Sequence, residues 1–143
     1  MRGFGAAARI ARIATVGALA AFALSGCGGW SDAPRVQAGE HTVMLKTSPS
    51  PAEVGRAATV SVAIRDAEDR SVRACGVSYR QFMPGHEMST DDVVIQLEEQ
   101  RSGVYSGTGP EFSMGGDWRI EVSFDCGSGP QQANFDFTLE WPE

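Results

Sequence analysis

The stretch that decides the fold is WRIEVSFDC, residues 118–126. A side-chain period of two is typical of a β-strand with one buried face, whereas a helix repeats about every 3.6 residues. The stretch therefore predicts a strand of an antiparallel sheet that is covered on one side. Its apolar positions, each followed by a charged or polar residue up to the last, are Trp118, Ile120, Val122, Phe124 and Cys126.

The same alternation recurs from His41 onward, at intervals of roughly 10–15 residues with turn residues between the segments. No helical period stands out in this part of the chain. We therefore expect an all-β fold, a seven-stranded immunoglobulin-like antiparallel sandwich. The seven alternating segments lie around residues 43–45, 60–64, 75–83, 93–97, 104–105, 118–126 and 135–139.

Two cysteines suggest a register for this sandwich. Its third and sixth strands are antiparallel neighbours, which here are residues 73–83 and 117–126. If Cys75 lies opposite Cys126, both strands turn their apolar faces inward, whereas a shift by one residue opposes apolar and polar side chains. Facing Cα atoms are about 4.5–5.5 Å apart, within disulfide range, so we expect a Cys75–Cys126 bond, the alternative being two buried thiols. The expected pairs are Val77 with Phe124, Tyr79 with Val122, Gln81 with Ile120 and Met83 with Trp118.

The N-terminal segment is typical of an export signal. Three arginines precede residues 13–24, a largely apolar run that is too short to span a bilayer. Leu24-Ser25-Gly26-Cys27 then resembles the bacterial lipobox, which implies cleavage before Cys27 and lipid on its sulfur. We expect a lipoprotein signal peptide at 1–26, a flexible tether at 27–40 and the β-sandwich domain at 41–143. The alternative is a plain secretory signal with an incidental cysteine.

Charge and cysteine content agree with a cell-envelope location. Cleavage at this point leaves nine basic and eighteen acidic residues, a net charge of −9. Nucleic acid is excluded as a partner, because binding it requires clustered Lys and Arg. With Cys27 lipidated, Cys75 and Cys126 remain as a pair in an oxidising compartment.

One constellation of side chains could carry chemistry. Residues 83–88, Met-Pro-Gly-His-Glu-Met, hold two thioethers and an imidazole, and the register places the loop 113–116 beside them. Both loops are expected at the end of the sandwich opposite the cysteines. Thioether and imidazole are soft, neutral ligands that suit Cu(I), so copper is the expected cofactor. The candidate ligands are His86, Met88, Met83 and Met114.

Alternatives exist for two of these ligands. Met83 lies on the inward face of its strand and could be a core residue instead. Met114 could cap the hydrophobic interior next to Trp118. The other histidine, His41, starts a strand and is interpreted as structural.

No catalytic residue set stands out in the sequence. The nucleophile motif G-x-S-x-G is absent, and no glycine-rich loop precedes a helix. We therefore expect a protein that is not an enzyme. Its expected partners are the membrane, through lipid on Cys27, and an envelope protein or copper acceptor. The alternative function is a metal-free module that docks on an envelope complex.

From His41 to Glu140 the chain resembles the YtkA-like family, which is related to FixH-type envelope proteins. This resemblance implies a small immunoglobulin-like envelope domain, often lipid- or membrane-anchored, of a kind associated with copper export and oxidase assembly. The chain departs from the family at residues 114–116, where Met-Gly-Gly replaces the common Met-Pro-Gly, and in its two domain cysteines. The segments that carry the resemblance are LKTSPSPAEVG at 45–55, VSV at 60–62, FMPGHEM at 82–88, SGVYSG at 102–107 and FSMGGDW at 112–118.

Overall fold

The computed structural model describes residues 29–143, which form eight β-strands and no helix. The expected all-β class is confirmed. None of the described segments is a helix of the length and apolar character needed to cross a membrane. The strands are β1 (Arg35–Ala38), β2 (His41–Ser48), β3 (Ala57–Arg65), β4 (Gly76–Phe82), β5 (Ile95–Arg101), β6 (Val104–Glu111), β7 (Gly116–Asp125) and β8 (Pro130–Leu139).

The strands form one antiparallel sheet in the order β1-β2-β3-β6-β5-β4-β7-β8. β5 joins its two layers, because Ile95 and Leu97 pair with β4 whereas Glu98 and Glu99 pair with β6. The first and last strands, β1 and β8, contact each other without forming a ladder. The sandwich is therefore a continuous sheet that nearly closes into a barrel.

The structure contains one strand that the sequence did not predict, β1. It lies inside residues 27–40, the range expected to be a tether. Arg35–Ala38 pairs with the first half of β2 across a two-residue turn at Gly39 and Glu40. Gly39 has a φ of 59°, a conformation that glycine adopts without steric cost. The ordered domain thus begins before His41, and its strand count is eight rather than seven.

The register between β4 and β7 is the predicted one. Val77 faces Phe124, Tyr79 faces Val122 and Gln81 faces Ile120. At the start of β4 the predicted disulfide is confirmed, since Cys75 is bonded to Cys126 with their Cα atoms 4.3 Å apart. The opposite end of the same strand pair therefore carries the loop after Phe82 and the loop before Gly116.

The inward faces of both layers supply the core. Gln81 is the buried polar side chain in it, only 3% exposed, and its Nε2 donates a hydrogen bond to the Pro110 carbonyl at 2.8 Å. That bond satisfies the amide donor, which would otherwise be costly to bury. The largest fully buried side chains are Trp118, Tyr79, Tyr105, Phe112, Ile64, Ile120, Val43, Val60, Val62 and Val122.

A second, smaller cluster lies on the outer face of β2. Met44 is 3% exposed there and packs with Ala33 and Ala63, with Trp30 against them. The Trp30 ring also lies 4.7 Å from Lys46 Nζ, in cation–π geometry. The segment that precedes β1 is therefore held on the domain from Trp30 onward.

Candidate metal site

The loop after β4 begins with a tight turn. The His86 amide donates to the Met83 carbonyl at 3.1 Å, and Gly85 between them has a φ of 84°. Pro at the second position and a glycine with positive φ at the third are the signature of a type II turn. This turn reverses the chain directly above the end of β4 and leaves His86 exposed to solvent.

A second turn fixes Met88. Its amide donates to Asp91 Oδ2 at 2.8 Å, and the Asp91 amide donates back to the Met88 carbonyl at 3.1 Å. The Met88 side chain is half-buried and packs against the hydrophobic core. Its backbone is thus held in the turn by two hydrogen bonds, while the residue remains partly exposed.

The loop before β7 is tied to the core through Trp118. The indole Nε1 of Trp118 donates to the Met114 carbonyl at 2.9 Å. The Trp118 ring is 1% exposed and packs edge-on against Phe112, with centroids 5.0 Å apart. Met114 itself is 36% exposed, so a buried side chain, Trp118, holds the backbone of an exposed residue.

Met83 lies beneath the two loops. It is 5% exposed, and a Cβ placed on Gly116 would come 2.7 Å from Met83 Cε. This close approach shows that the loop after β4 and the start of β7 meet, as the register predicted. Met83 itself occupies a core position, which is the alternative that the sequence left open for it.

We call this region the Met/His end, comprising residues 83–91 and 112–116. It contains the four predicted ligand positions: Met83 is buried in the core, Met88 is half-buried, and His86 and Met114 are exposed. No group of three His, Cys, Asp or Glu side chains that could hold a metal ion occurs within residues 29–143. The candidate ligands are therefore the thioethers and the one imidazole.

Sequence reasoning missed one side chain at this end, Trp141. A Cβ on Gly115 would lie 2.7–2.8 Å from atoms of the Trp141 ring, so the ring rests directly on the glycine next to Met114. Trp141 is 61% exposed. The available signal was the departure of residues 114–116 from the family pattern, because the glycine at 115 is what admits the indole.

Charged groups lie on the neighbouring outer face. Arg80 forms a bidentate ion pair with Glu121, Nε–Oε1 at 2.7 Å and Nη2–Oε2 at 3.3 Å. The Glu121 carboxylate raises the pKa of Arg80, and Asp92 and Asp91 add to that effect. The guanidinium thus partly balances the acidic residues that follow Met88.

The disulfide end is braced by two polar side chains. The Tyr105 hydroxyl accepts from the Cys75 amide at 3.0 Å and donates to the Val72 carbonyl at 2.9 Å. The Glu99 carboxylate accepts from the amides of Gly103 and Ala74, which lowers its pKa. Burial raises the pKa of Tyr105. The disulfide is therefore held in place by these hydrogen bonds. It lies at the end of the β4–β7 pair opposite the candidate methionine ligands.

The lipidation candidate Cys27 and the expected signal peptide at 1–26 lie outside the described residues. The first described residue is Gly29.

A family model described as YtkA-like matches residues 35–123, more than half of the chain. The match begins at the first residue of β1 and includes both loops of the Met/His end. No curated protein and no solved structure matches the chain.

Proposed function

Because the chain belongs to the YtkA-like family, we propose that it is a lipid-anchored domain of the cell envelope that binds and hands on Cu(I). The ion is held by His86, Met88 and Met114. The observation that carries this proposal is the meeting of the two loops, with Met83 Cε packed against Gly116. The function is binding and transfer, not catalysis.

The chemistry of these side chains favours Cu(I) over harder ions. Methionine sulfur and neutral imidazole are soft or borderline ligands, whereas calcium and magnesium sites use carboxylate and carbonyl oxygens. His86 and Met114 are exposed, and Met88 is half-buried against the core, so each of the three has surface that an ion could contact. Met83 supports the loops from below.

The disulfide keeps stronger copper ligands away from the site. A thiolate is the softest ligand that the chain could offer. Cys75 and Cys126 are bonded to each other at the opposite end of the β4–β7 pair. Lipid on Cys27 would convert the third sulfur to a thioether, so a methionine and histidine site would face no thiolate competitor.

Exposed apolar side chains support a second candidate function, a metal-free docking module. Trp141 is 61% exposed and Met114 is 36% exposed. The Trp141 ring lies against Gly115, the residue next to Met114. Exposed aromatic and methionine side chains are enriched at protein interfaces. In this case the Met/His end binds an envelope protein partner and no copper.

Cu(I) competition separates the two functions. The full-length lipidated protein in detergent is titrated with Cu(I) against a chromophoric chelator, with ascorbate as reductant so that the disulfide stays intact. We expect one bound ion per chain and a loss of affinity of about tenfold or more, or about 1.4 kcal/mol, for His86→Ala, Met88→Leu and Met114→Leu.

Matched controls use the same residue types outside the set of ligands. His41→Ala removes an imidazole near the disulfide end, where His41 Nδ1 contacts Gln131 Oε1 at 3.1 Å. Met83→Leu conserves volume in the core. Both variants should keep the wild-type affinity. No competition by the wild type, or an equal loss in His41→Ala and His86→Ala, contradicts the proposal.

A further inference from the structure

A groove of about 620 Å³ marks the place where the barrel fails to close, between β2 and β8. β1 covers only the first half of β2, so the second halves of β2 and β8 face each other across open space. At the disulfide end the seam is closed, because His41 contacts Gln131 there. The groove therefore opens toward the other end. Its apolar lining includes Val36, Leu45, Ala52, Phe135, Phe137 and Leu139.

The described chain starts at this groove. Gly29 lines it, together with Ala33 and Pro34. Cys27 precedes Gly29 by two residues, which an extended chain spans in about 7 Å. A lipid on Cys27 would therefore bring the groove side of the domain close to the bilayer surface, without the flexible tether over residues 27–40 that the sequence suggested.

The Met/His end lies on the same side of the domain. Leu139 of β8 lines the groove and pairs with Gly116, the first residue of β7. Two residues after Leu139, the exposed Trp141 ring lies on Gly115. Leu139 thus connects the groove, which Gly29 also lines, with the end of the barrel that carries Trp141.

We propose that this end rests on the lipid bilayer, with Trp141 inserted at the interface and Met114 beside it. The inference rests on the lipid anchor of the proposed function. Tryptophan is the side chain most typical of the membrane–water interface, because its ring is apolar and its N–H is polar. A net charge of −9 gives the domain no electrostatic attraction to anionic lipid, so the anchor and the indole hold this orientation.

The orientation limits the partner for copper. An ion at His86, Met88 and Met114 would face the bilayer and would be least accessible to a soluble carrier. The copper donor or acceptor is therefore a membrane-embedded protein that presents its own site at the lipid surface.

Quenching by brominated lipid tests this orientation. The full-length lipidated protein is reconstituted into phosphatidylcholine vesicles with brominated acyl chains, and tryptophan fluorescence is compared with that in non-brominated vesicles. Wild type should be quenched, and Trp141→Phe should lose most of that quenching. Trp30→Phe is the matched control, because Trp30 lies near the anchor but its ring packs against the Met44 cluster beside Lys46. This variant measures the share of quenching that comes from Trp30, and it should retain most of the wild-type quenching.

Flotation of the vesicles separates two kinds of failure. Protein that does not float with the vesicles contradicts the lipid anchor, and this inference falls with it. Protein that floats but is not quenched, or in which Trp141→Phe is quenched as strongly as wild type, contradicts the orientation alone. That second result leaves copper binding by the Met/His end untouched.

Discussion

Trp118 connects the hydrophobic core to the loop that carries a candidate ligand. Its ring is buried against Phe112, which in turn packs edge-on against Phe137 at 5.6 Å. Its indole nitrogen reaches the Met114 carbonyl. The buried Trp118 side chain thus fixes the backbone position of Met114, because moving that loop would leave the buried indole N–H without its acceptor.

Replacement of Trp118 by Phe tests this connection. The variant loses the hydrogen bond and part of the buried side-chain volume, so we expect the free energy of unfolding to fall by about 1–3 kcal/mol. Because the loop is no longer fixed, Cu(I) affinity should fall as well. Urea denaturation and the chelator titration measure the two effects.

Tyr105→Phe is the control, since it removes hydrogen bonds at the disulfide end and should lower stability without changing Cu(I) affinity. Equal copper affinity in Trp118→Phe and wild type would show that the indole does not position the loop.

At the scale of elements, the β4–β7 pair organises the molecule. One end of the pair carries the disulfide and the other carries the Met/His end. Glu99 of β5 braces the disulfide end by accepting from the amides of Ala74 and Gly103 at 3.2 and 3.0 Å. A carboxylate that accepts two amide hydrogens is stabilised in its ionised form, which lowers the pKa of Glu99 in the folded protein below 4.5.

Stability should therefore depend on pH through Glu99. A lowered folded-state pKa contributes stability above the unfolded value of 4.5, and this contribution is lost as the pH falls through the folded value. Wild type should be more stable than Glu99→Gln at about pH 7, and the difference should shrink toward about pH 3. Denaturation curves at both pH values provide the measurement. Glu98→Gln, at the neighbouring exposed position of β5, is the matched control for the change of residue type. A stability difference between wild type and Glu99→Gln that stays constant over this pH range contradicts a lowered pKa of Glu99 in the folded protein.

The sequence predicted the elements whose side chains alternate along most of their length. The register of β4 and β7 was predictable because two independent signals, the apolar faces and the cysteine pair, agree on it. β1 was missed because it has four residues and follows Pro34, so its alternation is too short to stand out. The second half of β6 was missed because Gly109 interrupts the pattern. That glycine is required by long-range packing, since the Tyr79 hydroxyl occupies the space of its Cβ.

The candidate site was only partly predictable for a related reason. The convergence of the loops followed from the register, and the Pro-Gly turn followed from residue type. The positions of Trp141 and Gly29 depend on how the chain ends pack on the barrel, and no local pattern encodes that packing. The core position of Met83, by contrast, was suggested by the alternation of β4 and is established by its burial, with only 5% of the residue exposed.

For the whole molecule, the two ends have separate tasks. The disulfide end braces the barrel covalently, and the other end carries the candidate ligands and the exposed side chains of Met114 and Trp141. A lipid-anchored domain of this design would hold copper at the membrane surface between one protein and the next. Coordination by side chains near the surface suits that task, because an ion buried by rigid ligands is released slowly.

X-ray absorption at the copper edge tests this account most directly. The full-length lipidated protein is loaded with one equivalent of Cu(I) under ascorbate and desalted before measurement. The account predicts retained copper with sulfur neighbours from Met88 and Met114 and one imidazole nitrogen, and loss of the nitrogen contribution in His86→Ala. Copper that is washed away, or a spectrum without sulfur neighbours, would contradict it.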